Sequence, residues 1–141
     1  MSQSTSPNEP GSGVSPSLQR ATPPSRLSTD IIPAMPKPFG LAVDVYHVRW
    51  DLKLAQQIER AGQRRLLALH VCDWLTPTTD LLNDRGMMGD GVIDIPRIRG
   101  WVEAQGYAGY SEVEIFSTRN WWQRDAEATL ATCIARHRSA V

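Results

Sequence analysis

Residues 66–72 read LLALHVC, and stretches of the same kind occur at residues 41–47, LAVDVYH, and 112–116, EVEIF. In each stretch apolar residues alternate with the others, so the two sets point to opposite faces of a β-strand. Each stretch carries one metal-binding type of side chain on its polar face: Asp44, His70 and Glu114. The pattern predicts three strands of one sheet whose candidate ligands share a face. Such a mixed nitrogen and oxygen set suits a divalent ion such as Mn2+, Mg2+, Co2+ or Zn2+.

The composition indicates a single domain with balanced charge. The chain has 141 residues, of which 15 are basic and 15 are acidic, and this balance predicts neither a nucleic-acid partner nor a membrane-surface partner. Cys72 and Cys133 are too few for a disulfide framework, so a reducing cytoplasm is the expected location. The chain has no apolar run that could span a bilayer and no secretory signal in its first thirty residues. We therefore expect a soluble, cytoplasmic protein.

The first 38 residues differ sharply in composition from the rest. They hold eight of the ten prolines and eight serines, without a repeating apolar pattern. Such a segment cannot bury enough apolar surface to offset the entropy lost on ordering, so residues 1–38 are predicted to form a disordered tail. Two alternatives stay open. The segment is an organelle-targeting or partner-binding tail, or it is not native to the fold and arises from a misplaced start or a shifted reading frame.

Strands and helices alternate from Phe39 onward. Asp51 is placed to cap a helix over residues 52–61, and Asp94 to cap another that Gly106 ends. A long loop at residues 73–92 separates these two helices. Asp125 is placed to cap a last helix whose inward face is predicted to carry four residues: Ala126, Leu130, Cys133 and Ile134. This order implies parallel strands joined by right-handed crossovers.

Two architectures fit this order, an open doubly wound sheet and a barrel of strand-helix units. An open parallel sheet has helices on both faces and strands that are apolar throughout. Here one face of each strand is polar, which favours the lumen of a barrel, where active sites lie at the carboxyl ends of strands. A complete barrel needs roughly 250 residues, and residues 39–141 supply less than half of that. The predicted fold class is therefore α/β, a partial TIM (β/α) barrel preceded by a disordered tail.

Four segments occur in the order seen in one barrel superfamily: VDVYH at 43–47, LHVCD at 69–73, NDRG through GDG at 83–91, and VEIF at 113–116. In these segments, residues 39–141 resemble the C-terminal part of the xylose isomerase-like TIM barrel superfamily. The closest similarity is to its sugar phosphate isomerase/epimerase branch, which includes ketose 3-epimerases and inositol-catabolism enzymes. Nothing before Phe39 resembles that family.

The resemblance implies a function and a set of site residues. Family members hold one divalent ion with Glu, Asp, His and Glu from four strands, and the last three are similar to Asp44, His70 and Glu114. His47 and Arg85 are in the positions of residues that contact sugar oxygens. Glu114 would be both a ligand and a general acid/base, and the ion would stabilise an enediolate as it forms. The implied partner is a small-molecule sugar or sugar phosphate.

One part of the family pattern has no counterpart in residues 1–38, namely the first metal glutamate and the strands around it. We therefore expect the chain alone to be weakly active or inactive as an epimerase. A second interpretation is a non-catalytic half-barrel that associates with itself, as a homo-oligomer, or with a partner chain, because its sheet edges are open. A third is a protein similar to abasic-site endonucleases, although these need more metal ligands and a basic face.

Several candidate residues also have a structural interpretation that the sequence leaves open, and His47 could simply be a surface residue. Asp44 could bond only to backbone amides at a strand end, and His70 could be a core histidine with satisfied hydrogen bonds. Arg85 could form a loop ion pair with its neighbour Asp84. Cys72 shares the face of His70 and is either near the ion or an inert buried thiol.

Overall fold

The computed structural model of the protein describes residues 39–141, so the predicted tail at residues 1–38 lies outside the described part. Nine helices and strands follow in order within that part: β1 Leu41–Asp44, α1 Val45–Val48, α2 Leu54–Ala61, β2 Leu66–Val71, β3 Asp73–Trp74, β4 Arg85–Gly86, α3 Ile95–Ala104, β5 Ser111–Val113 and α4 Ala126–Ala140. Two short 3₁₀ turns, Gln63–Arg65 and Trp121–Gln123, precede β2 and α4.

A parallel sheet with the order β1-β2-β5 forms the centre of the described fold. Its register aligns Asp44 with His70 and His70 with Glu112 across neighbouring strands. The short strands β3 and β4 pair antiparallel with each other and form a second sheet. Among residues 39–141 the strands do not close into a barrel. The predicted α/β class, a partial barrel of parallel strand-helix units, is confirmed.

The core lies between one face of the sheet and the helices that connect its strands. Val43, Leu69 and Val71 point to this face and are buried together with Ile58 of α2 and Val102 of α3. Asp44 and His70 alternate with those strand residues and therefore lie on the other face. Burial of the apolar face thus fixes which side chains are presented to the lumen side.

Two strands, β1 and β5, are shorter than predicted. β1 ends at Asp44 rather than His47, because the Asp44 carboxylate accepts a hydrogen bond from the backbone N–H of Tyr46 at 2.9 Å and caps the one-turn helix α1. β5 ends at Val113 rather than Phe116. Each of these two strands therefore ends at or next to a candidate ligand, β1 at Asp44 and β5 just before Glu114.

The predicted helix caps are confirmed at two of three positions. Asp94 accepts from the N–H of Arg97 at 3.2 Å, and Asp125 accepts from the N–H of Ala128 at 2.9 Å. Gly106 follows the end of α3 with φ of 82°, a left-handed conformation that suits glycine. Asp51 was predicted to cap a helix from residue 52, but its carboxylate bonds Lys53 N–H in a preceding turn and α2 begins at Leu54.

The predicted inward face of α4 is wrong for most of its residues. Leu130 and Ile134 are 62% and 47% exposed, and Ala126 is exposed as well. Of the four predicted residues, only Cys133 packs against the core. The physical reason is that β5 is the edge of the described sheet, so no strand there covers this face of the helix. In the described part of the chain, no helix is both long and apolar enough to cross a membrane.

Candidate metal centre

The carboxyl ends of the three parallel strands bring the predicted ligands together. Asp44 is the last residue of β1, and its register partner His70 is the next-to-last residue of β2. Glu114 directly follows β5, and its N–H donates to the Val71 carbonyl at 3.0 Å. One donor atom from each of the three ligands lies within 4.8 Å of the other two. The structure thus joins residues separated by 26 and 44 positions in the sequence.

This donor set fits a single divalent ion after a small contraction. Protein ligands stand about 2 Å from Zn2+, so two donors on one ion are at most about 4 Å apart. The imidazole Nδ1 of His70 lies 3.8 Å from Oε2 of Glu114, inside that limit. The three donor atoms, which lie within 4.8 Å of one another, would reach tetrahedral spacing around one ion after each moves inward by roughly 1 Å. Two carboxylates and an imidazole suit Zn2+ and Mn2+ alike.

Arg85 places a positive charge between the two carboxylates. Its side chain is 3% exposed, and its Nη1 lies 2.8 Å from Oε2 of Glu114 and 3.4 Å from Oδ2 of Asp44. Burial lowers the pKa of Arg85, but the acidic groups of Cys72, Asp44 and Glu114 raise it by more, so its pKa is raised overall. The guanidinium therefore stays charged and neutralises part of the acidic site.

Aromatic rings and the backbone hold Arg85 in this place. Its guanidinium carbon lies 4.5 Å from the ring centroid of Tyr46 and 4.8 Å from that of Phe116, which are cation-π distances. Its backbone N–H donates to the Phe116 carbonyl at 2.9 Å. Asp84, the neighbour considered for a loop ion pair, instead accepts from the N–H and hydroxyl of Thr79. Arg85 thus faces the candidate metal site.

His47 lies at the rim of the same site, at the end of α1. Its Nε2 is 3.2 Å from Nη2 of Arg85 and 3.6 Å from Oδ2 of Asp44, and its side chain is 59% exposed. The structure therefore places both predicted substrate-binding residues next to the candidate ligands. Their contact with a sugar stays a prediction.

The structural interpretation of Asp44 holds for one of its oxygens. Oδ1 accepts from the Tyr46 N–H, as a strand-end carboxylate does. Oδ2 faces Arg85 and His47 instead. The Asp44 carboxylate therefore uses one oxygen for a structural bond and turns the other, which contacts Arg85, toward the candidate site.

Cys72 has the properties of an inert buried thiol. It is fully buried, and burial raises its pKa to about 12, although the nearby charge of Arg85 opposes this shift. Its Sγ is 4.0 Å from Nη1 of Arg85. At neutral pH the thiol is therefore protonated in the metal-free protein.

Two acidic residues near the site, Glu112 and Asp73, were not among the predicted site residues. Oε2 of Glu112 lies 3.8 Å from Nε2 of His70, so each imidazole nitrogen has a carboxylate nearby. Asp73 is buried and accepts hydrogen bonds from four backbone N–H groups, those of Trp74, Gly89, Gly91 and Ile93. The available signal for Asp73 was its position between a buried strand and a loop rich in glycine.

Comparisons with known proteins agree with this architecture. A family model described as xylose isomerase-like TIM barrel matches residues 28–133. That match begins before Phe39, so the domain boundary at that residue stays a prediction. No curated protein matches the chain.

Two crystal structures are similar to the described fold. Protein SMc04130 from Sinorhizobium meliloti 1021 is 55% identical, with a TM-score of 0.76 over 79% of this chain and 41% of its own. The IolI protein, solved at 1.8 Å with a zinc atom, is 20% identical, with a TM-score of 0.62 over 72% of this chain and 37% of its own. The chain thus spans about two fifths of the length of these structures. By the family match and the parallel strand-helix fold, the chain belongs to the xylose isomerase-like TIM barrel family.

Proposed function

We propose that this chain contributes to a site that isomerises or epimerises a sugar or sugar phosphate with a divalent metal ion. The observation that carries the proposal is the convergence of Asp44, His70 and Glu114, with Arg85 directly beside them. Family membership supports it, and so does the zinc atom in the IolI structure, which has a similar fold.

The proposed ion is held by Asp44, His70 and Glu114, and its identity is Mn2+, Mg2+, Co2+ or Zn2+. The chemistry that a bound divalent ion supplies is polarisation of a sugar carbonyl and stabilisation of the negative charge that develops on its oxygen. Glu112, whose Oε2 lies 3.8 Å from Nε2 of His70, is placed to orient the imidazole through the nitrogen that does not face Glu114.

Glu114 is the proposed general acid/base. Its carboxylate takes a proton from the sugar carbon next to the carbonyl, and the electrons of the broken C–H bond move into the carbonyl to give an enediolate. The protonated Glu114 then returns the proton to carbon. With a side chain that is 34% exposed, Glu114 can reach a ligand that enters from solvent.

Arg85 and His47 are proposed to bind sugar oxygens. Arg85 offers a rigid set of donors for hydroxyl or phosphate oxygens, and His47 stands at the solvent side of it, 3.2 Å away. An inversion at carbon needs a second base on the opposite face of the sugar. Glu114 alone would therefore exchange a proton with water more readily than it would complete an epimerisation.

Hydrogen exchange into a sugar tests this function without requiring complete turnover. The chain is incubated in D2O with ketopentoses, ketohexoses and their phosphates, with each of the four metals in turn, and deuterium at the carbon next to the carbonyl is followed by NMR. We expect metal-dependent exchange that Glu114→Gln lowers at least about 100-fold. Glu103→Gln is the matched control, because Glu103 pairs with Arg99 on the surface of α3. Absence of exchange with every sugar and metal would contradict the proposal.

A second candidate, a half-barrel that functions by self-association, is favoured by uncovered apolar side chains. Val113, Leu130 and Ile134 are exposed beside a cleft of about 490 Å³ between β5 and α4. Phe39 and Leu67 are exposed at a cleft of about 790 Å³ where β1 and β2 begin. Apolar surface of this kind commonly marks an interface.

Sedimentation velocity over a concentration series tests the second candidate. Self-association predicts a rising mass that Leu130→Lys abolishes and that Ala131→Lys, also exposed on α4 but outside the cleft, leaves unchanged. A monomer at every concentration, or an equal effect of both variants, would contradict it.

A further inference from the structure

Asp73 organises the loop that carries Arg85, the residue that contacts the candidate ligands Asp44 and Glu114. Asp73 is buried at the start of β3, and each of its carboxylate oxygens accepts two backbone hydrogen bonds. Oδ1 accepts from Trp74 at 2.8 Å and Ile93 at 2.9 Å. Oδ2 accepts from Gly89 at 3.0 Å and Gly91 at 2.9 Å. Four amide donors satisfy a buried carboxylate and compensate for the water it has lost.

These four bonds join the two ends of the loop. Trp74 lies at its beginning, whereas Gly89, Gly91 and Ile93 lie at its end, 15 to 19 positions later in the sequence. The Val92 N–H adds a fifth bond, to the Trp74 carbonyl at 3.1 Å. The carboxylate therefore closes the loop at its base.

Gly91 shows how closely the two ends of the loop approach each other. A Cβ atom at this position would stand 2.6 Å from Oδ1 of Asp73 and 2.6 Å from the carbonyl carbon of Trp74. Contacts this short require the backbone to move. Glycine at this position is thus a condition for the bonds that Asp73 accepts.

The loop that Asp73 closes carries Arg85 on its second short strand, β4. β3 and β4 pair with Asp73 opposite Gly86 and Trp74 opposite Arg85. The backbone of Arg85 is consequently fixed on one side by β3 and on the other by the Phe116 carbonyl. Loss of the closure at Asp73 would release the β3 side.

We propose that Asp73 is a positioning residue that holds Arg85 against Asp44 and Glu114 through the closed loop. The effect on Arg85 stands on geometry alone, while its consequence for catalysis rests on the function proposed above. Asp73→Asn replaces one acceptor oxygen by an NH2 group that faces two N–H donors. Two of the four bonds are lost and two donors are left buried without a partner.

Chemical modification of Arg85 by phenylglyoxal, mapped by mass spectrometry, tests the positioning directly. Arg85 is protected in the wild type because its side chain is buried. We expect Asp73→Asn to raise the modification rate of Arg85 about tenfold or more. We expect the same of Gly91→Ala, because its added Cβ would collide with the Asp73 carboxylate. Asp90→Asn is the matched control, because it removes a carboxylate of the same loop that pairs outward with Arg136.

Hydrogen exchange of the β2 amides separates positioning from general loss of structure. We expect these amides to stay as protected as in the wild type while Arg85 becomes reactive. If Arg85 stays protected in the folded Asp73 variant, or if β2 loses protection in parallel, the proposal is overturned. Should Asp73→Asn not yield folded protein, Gly91→Ala decides the question by the same criteria.

The sugar exchange assay adds a readout that a structural role would not move. We expect Asp73→Asn to raise KM more than it lowers kcat, and to have no further effect in an Arg85→Met background, since residues acting through one another are not additive. Additive losses would overturn the proposal. If the wild type exchanges no sugar, the proposed function fails, and the phenylglyoxal result still stands as the test of positioning.

Discussion

Nη1 of Arg85 lies 2.8 Å from Oε2 of Glu114. The same oxygen is 3.8 Å from Nδ1 of His70, so it belongs both to the arginine contact and to the candidate ligand set. Arg85 also approaches Oδ2 of Asp44 with the same nitrogen. A metal ion bound to this candidate site would compete with the guanidinium for the same carboxylate oxygens, and the charge of one would substitute for that of the other.

This competition predicts the effect of removing the guanidinium. Arg85→Met should bind Mn2+ more tightly than the wild type, by about tenfold, because the positive charge that contacts two of the three candidate ligands is removed. The same variant should be less stable without metal, since two carboxylates lose their cation. Isothermal titration calorimetry measures the affinity, and Arg99→Met, which removes an arginine from the surface of α3, is the control. Weaker binding in Arg85→Met than in Arg99→Met would contradict the competition.

The imidazole of His70 supplies the one nitrogen donor of the candidate set. His70→Gln should lower the affinity for Mn2+ and Zn2+ at least about 100-fold, since loss of a ligand exceeds the tenfold to 100-fold cost of losing an outer partner. His137→Gln, a change of the same kind on α4, should leave the affinity unchanged. Both variants can be titrated by the quenching of tryptophan fluorescence. Equal affinity in the two variants would exclude His70 as a ligand.

Local rules predicted the parts of the fold that depend on a few neighbouring residues. Asp94 and Asp125 cap their helices as expected, because a cap needs only a carboxylate and the N–H three residues later. The end of β1 was missed because the same kind of bond, from Tyr46 to Asp44, starts a helix inside an apolar run. The exposure of Leu130 was missed for a different reason, since it depends on what covers β5.

The three candidate ligands were predictable because parallel strands place their carboxyl ends at one edge of a sheet. The position of Arg85 was predictable only from the resemblance to the family, since nothing local favours Asp44 over the adjacent Asp84 as its partner. Asp73 was not predictable in its role. Its four donors come from both ends of a loop, and their convergence is a property of the folded backbone.

Asp80 lies in the loop at residues 73–92, and its ionisation makes the stability of the fold depend on acid pH. Hydrogen bonds from the N–H groups of Asn83 and Leu82 lower the pKa of Asp80. Its ionised form therefore stabilises the fold above the unfolded-state pKa of about 3.9, and this stabilisation is lost as pH falls through the lower folded-state pKa. Asp80→Asn, which cannot ionise, should lower the free energy of unfolding at neutral pH and should differ less from the wild type in acid. Urea unfolding at several pH values measures this, with the exposed Glu127→Gln as control. A difference that does not shrink in acid would contradict the assignment.

Cys72 provides a last prediction, because its burial beside the site decides whether a thiol takes part in the chemistry. Burial raises its pKa to about 12, against about 8.5 in an unfolded chain. The folded protein therefore keeps the thiol protonated, and this contribution to stability is present below about pH 8.5 and lost as pH rises toward 12. Iodoacetamide near pH 8 should label Cys133, which is only partly buried, faster than Cys72, and both should react alike in urea. Mass spectrometry of the labelled peptides gives the two rates. Faster labelling of Cys72 in the folded protein would mean that its thiolate is available, and the thiol would then have to be counted among the candidate metal ligands.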